Sequence, residues 1–121
     1  MQRVLMAGLS LCLLSLICGS AASAPYGALA VVPGQGRDFH GFATGPSPKT
    51  AEKDAMAQCA NRRCKIVITY VPGQCAHIAL GVRQIFWNNK RFGQGEKEFI
   101  LAGCNRLDSR CEMIQSECFA R

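Results

Sequence analysis

The side chains best placed for chemistry in this chain of 121 residues are thiols. Six cysteines form two triplets, Cys59, Cys64, Cys75 and Cys104, Cys111, Cys118, whose equivalent members are offset by 45, 47 and 43 residues. Thiols in such numbers either bind a metal or oxidise to disulfides. Structural zinc sites use close pairs such as C-x-x-C, whereas the nearest pairs here have four and six intervening residues. The spacing predicts disulfides and no metal.

Hydrolytic chemistry would need a histidine, a carboxylate and a nucleophile in one cleft. His40 follows Asp38 in a glycine-rich stretch, and His77 lies in an apolar run that reads as a strand. A hydrogen-bonded structural role is expected for His77, and a surface position or a weak metal ligand for His40. Glu52, Asp54, Glu96 and Glu98 belong to helix starts, where the helix dipole accounts for them. Glu112 and Glu117 fall on the last strand, and nothing in the spacing demands the converging carboxyls of a glycosidase. Gly34-x-Gly36 and Gly93-x-Gly95 are turn glycines, short of a phosphate-binding loop. No catalytic residue and no cofactor is assigned. The best candidates for recognition are Trp87, Lys90, Arg91 and Phe92, two aromatics flanking an Asn-Asn-Lys-Arg turn with Asn88-Asn89 at its tip. Only one of Phe86 and Trp87 can face a core, because neighbours on a strand point to opposite sides. Arg62 and Arg63, with Lys65, make a second basic cluster.

The first residues have the form of a secretory signal. Arg3 precedes an apolar stretch, 4–17, broken by Gly8, Ser10 and Ser15, and small residues fill 19–24. The apolar part is too short to span a bilayer, which takes roughly 20 residues, and no later segment approaches that length. Cleavage after Ala22 or after Ala24 fits the small-residue pattern, the latter leaving Pro25 first. Cys12 and Cys18 follow Leu11 and Ile17 instead of small residues, so both read as discarded apolar residues. The expectation is a signal peptide over 1–24, one disulfide-bonded domain over 25–121, and a periplasmic or secreted location. The formal net charge is +6, or +5 without Arg3. A basic exported domain attracts anionic envelope polymers; no aromatic-and-basic signature or recognition helix points to nucleic acid.

The elements that must position these residues repeat. Residues 26–32 form an apolar run suited to a strand, and His40-Gly41-Phe42-Ala43 returns as a second one. Ser47 caps a helix with Pro48 at its first position and Ala51, Ala55, Met56 and Cys59 on one stripe. Residues 64–71, rich in β-branched side chains, make the strongest strand. The second half follows the same order: strands at 76–82 and 84–87, a helix at 95–103 carrying Phe99, Ile100 and Cys104, and a strand at 111–118. Each unit, about 25–75 and 76–121, is strand, strand, helix, strand. The expected fold is α+β: two pseudo-repeated ββαβ units sharing one mainly antiparallel sheet, with two helices on one face.

This layout restricts the fifteen possible cysteine pairings. Cys111 and Cys118 lie too far apart on one strand to bond. Val71-Pro72-Gly73-Gln74 reads as a type II turn, and if it closes a hairpin it separates Cys75 from Cys64. Cys59–Cys64 and Cys104–Cys111 each close a short helix-to-strand link, which leaves Cys75–Cys118 bonded across the two units.

With these motifs in hand, the chain resembles the bacterial domain-of-unknown-function family numbered 4189. The resemblance rests on Tyr26-Gly27-Ala28 opening a strand, the alanine-rich helix ending in Cys59, the strand led by Cys64, and Cys75-Ala76 starting the second copy. Trp87 to Phe92 and Glu96-Lys97-Glu98-Phe99 depart from the family pattern. The resemblance implies export and a small disulfide-bonded domain, and transfers no catalytic residue. Two functions follow as expectations. One is a non-catalytic exported domain that binds a protein or an anionic envelope polymer, for instance as an inhibitor or immunity protein. The alternative is a small envelope hydrolase using His40 or His77, or a structural envelope protein.

Overall fold

The computed structural model describes residues 24–88 and 96–120. Residues 1–23 of the signal-like stretch and Lys90, Arg91 and Phe92 lie outside the described residues. Eight elements run in the order β1 (Tyr26–Val31), β2 (His40–Gly45), α1 (Pro48–Cys59), β3 (Lys65–Tyr70), β4 (Cys75–Leu80), β5 (Ile85–Trp87), α2 (Glu96–Leu107) and β6 (Glu112–Cys118).

The fold is α+β, but the strands divide into two antiparallel sheets of three, ordered β2-β1-β3 and β5-β4-β6. The expectation of one shared sheet is corrected here. The reason lies in the central strands. β1 and β4 are apolar without alternation and are buried along nearly their whole length, as a strand covered on both faces must be. In β1, Ala28 and Ala30, with Val32 just beyond, face α1 and pack with Ala43, Ala51, Ala55, Cys59 and Cys64. Leu29 and Val31 face the other way and meet Ile78 of the second sheet, with Phe42, Val67, Ile68, Ile85 and Trp87 around them. The two sheets therefore pack face to face, and the helices do not share one face. α1 covers the outer side of the first sheet and α2 packs on the second.

The sequence of α1 explains its seating. Ser47 accepts a hydrogen bond from the Thr50 amide at 3.2 Å, Pro48 opens the helix, and the buried stripe is Ala51, Ala55 and Cys59. Small residues let the helix lie close to the sheet. A Cβ on Gly41 would collide with the backbone at Ala55 and Cys59, so glycine is required on the facing strand. Met56, expected on the stripe, is exposed. In α2, Cys104 is fully buried while Phe99 is 69% exposed. At 100° per residue, Phe99 stands about 140° from Cys104 around the helix, so the two cannot share a face.

The disulfides join Cys59 to Cys64, Cys104 to Cys111, and Cys75 to Cys118. The third differs in meaning from the expectation. Cys75 is the first residue of β4 and faces Cys118 directly across the β4–β6 pairing. It staples one sheet and does not bridge the two units. Residues 71–74 form the expected turn, with Gln74 N–H donating to the Val71 carbonyl at 3.0 Å and Gly73 at φ 87°. That turn carries the chain from one sheet to the other and closes no hairpin.

The chain after β6 returns across the sheet boundary. Phe119 exchanges backbone hydrogen bonds with Gly73 and Gln74 at 2.9 and 2.8 Å, and its buried ring stacks on Tyr70 at 6.0 Å. By loop-closure entropy the Cys75–Cys118 bond is worth about 4 kcal/mol and each local bond about 2 kcal/mol. Replacing Cys75 and Cys118 by serine is expected to lower the melting temperature more than replacing Cys59 and Cys64. Calorimetry of the two double variants tests this ranking.

Candidate functional site

Two hairpin loops meet at one end of the sheet pair. The β1–β2 loop is closed by backbone bonds from Val32 N to Phe39 O, Gln35 N to Val32 O and Phe39 N to Gln35 O. His40 belongs to this framework: its Nδ1 lies 2.7 Å from the Gly36 carbonyl and donates to it. The β4–β5 loop is closed by Gly81 N donating to Gln84 O at 2.9 Å. The Arg37 guanidinium donates to the Gly81 carbonyl and ties the loops together.

A carboxylate fixes the second loop from below. Asp108, just past α2, accepts the amides of Arg83 and Gln84 at 2.9 and 2.8 Å on Oδ2 and that of Ser109 at 2.8 Å on Oδ1. Burial works to raise its pKa. The backbone donors of Arg83, Ser109 and Gln84, and then the Arg83 guanidinium, outweigh that and hold it below the usual aspartate value. The Arg83 side chain is 77% exposed and 3.9 Å from Asp108, so the ion pair itself is well screened and adds little.

Between the loops lies a cleft of about 210 Å³, lined by Val31, Val32, Gly34, Gly36 and, from the second sheet, Arg83, Gln84, Ile85 and Trp87. Phe39 and Val82, on the flanking loop residues, are 36% and 45% exposed. An apolar cleft with a tryptophan in its wall and an unburied arginine at its rim has the composition of a contact site.

The expected recognition residues separate. Trp87 is half-buried, packs between the sheets and lines the cleft. Arg62 and Arg63 are exposed on the α1–β3 link, apart from the cleft lining. Asn88 is not a hairpin tip; it is 4% exposed. Its Oδ1 accepts from the His77 amide at 2.7 Å and from the Tyr70 hydroxyl at 3.2 Å, and its Nδ2 donates to Cys75 O at 2.8 Å. A side chain here continues the β4–β5 ladder after β5 has ended. Arg37, Arg83 and Asp108 were not singled out by sequence reasoning. Polar residues beside turns look alike in sequence whether solvated or structural.

Neither histidine completes a triad among the described residues. His77 has the Ser116 hydroxyl 2.9 Å from Nδ1 and no carboxylate on its other nitrogen. Asp54 and Glu117, far apart in sequence, line one groove of about 560 Å³ between α1, β2 and β6. The Glu117 carboxylate there accepts from Gln115 Nε2 at 2.8 Å. Among the described residues no group of three His, Cys, Asp or Glu is arranged to hold a metal, and no helix is long and apolar enough to cross a membrane.

Residues 26–118 match the family described as Domain of unknown function (DUF4189). The chain belongs to this family. Comparison with curated proteins and with solved structures finds no match to either. The family match spans β1 through β6 and so takes in both sheets, both helices and all three disulfides of this DUF4189 domain.

Two outcomes follow from this geometry. Asn88→Ala leaves a buried amide and a buried carbonyl on β4 without partners, which costs about 3 kcal/mol, measurable by urea unfolding. Asp108→Asn is expected to lower the melting temperature at neutral pH. Because the folded pKa is depressed, the parent's advantage is complete above the unfolded value of about 4. It disappears as pH falls through the lower folded value. Melting curves between pH 7 and pH 2 should show the two proteins converging in acid.

Proposed function

We propose that this DUF4189 protein is an exported, non-catalytic binding domain whose contact surface is the two-loop cleft around Trp87 and Arg83. The observation that carries this reading is the cleft itself, where exposed apolar side chains and arginines occur on loops held rigid by Arg37, His40 and Asp108. Rigid loops reduce the entropy lost on association. The fitting partner is a protein surface with a carboxylate for Arg83 and an apolar side chain for the cleft.

Three disulfides support export to an oxidising compartment, with residues 1–24 as the signal. We also read the domain as a duplicated ββαβ unit. Both sheets have the order second, first, last strand. Both also shift register at matching places, between Leu29 and Ala30 and between Ile78 and Ala79.

The test uses the oxidised mature protein, with Arg83→Ala and Val82→Ser as surface variants that spare the core. A partner captured from envelope extract by the parent is purified and its affinity measured by calorimetry. Each variant is expected to weaken binding at least about tenfold, one lost hot-spot contact. Equal affinity for parent and both variants, or retention only by anionic polymer at low salt, would sink the reading.

A further inference from the structure

On the opposite side of the second sheet, a cavity of about 290 Å³ is lined by His77, Lys97, Ser116, Glu117 and Cys118. His77 is 4% exposed, and its Nε2 is the buried side-chain polar atom that has no partner among the described residues. An unmade hydrogen bond on a buried group carries the full desolvation cost, which a ligand would remove.

We infer that this cavity is a binding site for a small oxyanion group, a carboxylate or a phosphate, held by His77 Nε2–H and the Lys97 ammonium. The site needs the ring proton on Nε2, and the neighbour of Nδ1 permits it. Ser116 stands opposite His77 in the β4–β6 register, and its hydroxyl lies 2.9 Å from Nδ1. With that hydroxyl donating to Nδ1, the ring proton resides on Nε2, a donor in need of an acceptor. Lys97 supplies the charge, makes no ion pair with any described residue, and sits in the first turn of α2, where the helix dipole adds positive potential. Glu117 does not fill the role. It also lines the cavity, but its Oε1 is already engaged by Gln115 Nε2 at 2.8 Å. The donors the cavity offers are His77 Nε2–H and the Lys97 ammonium, and the occupant complementary to them is an acceptor bearing negative charge.

The experiment follows the imidazole signals of the oxidised mature protein by NMR during titration with sodium phosphate and, separately, sodium acetate, at constant ionic strength set with chloride. His77 is expected to shift saturably with at least one of the two while His40, bound to its own loop, stays put. Saturation by phosphate only or by acetate only names the oxyanion. Lys97→Ala is expected to weaken that binding about tenfold, the loss of one charge-assisted hydrogen bond. Lys97 is exposed, so the variant keeps the fold. No saturable shift with either anion, equal shifts at His40 and His77, or unchanged affinity in Lys97→Ala would overturn the proposal.

Discussion

The buried hydroxyl of Tyr70 crosses from one sheet to the other, and the pairing of the sheets depends on it. Tyr70 ends β3 in the first sheet and donates to the carbonyl of Asn88, just past β5 in the second, at 2.9 Å. Asn88 passes the connection on to β4 through the His77 amide and the Cys75 carbonyl. Around this polar link, Phe119 stacks on Tyr70 and Phe42 meets it edge-on at 6.4 Å. Apolar packing between two sheets is non-directional, so it tolerates sliding. A satisfied buried network does not, because any shift strands its members without partners.

The same economy governs the two helices. α1 meets its sheet through alanines and Gly41, which allow a close approach. α2 has no such alanine stripe, and its sheet presents His77 where the first sheet presents a small residue. His77 lines the cavity on that side of the sheet together with Lys97 of α2. The loops at the far end obey a different constraint. Their backbone donors are satisfied by Asp108 and their spacing by Arg37, so an apolar cleft can stay open to solvent without the loops collapsing into it.

Much of this was readable from residue types. Ser47-Pro48 marks the start of α1, Pro72-Gly73 the type II turn, and Cys59 and Cys104 the short links they close. These features are local, set within a few residues by backbone preference or chain reach. The unbroken apolar runs of β1 and β4 also held the signal for strands covered on both sides, which argues for two stacked sheets over one. Trp87 was a candidate by residue type alone. Whether it faced core or solvent depended on which sheet β5 joined.

The amino-acid sequence determined the element order, the two disulfides that close short links and the Ala51, Ala55 and Cys59 positions of the α1 stripe, because each is decided by spacing along one chain; Cys75–Cys118 followed by elimination. Only the tertiary structure decided that the strands split into two sheets and that Asn88 is buried at their junction. It also brought Arg37 and Arg83 to one cleft, and His77, Ser116 and Lys97 to one cavity. Those groupings join residues tens of positions apart, and no local preference reports them. They arise when two apolar faces close on each other and bring the ends of distant elements together.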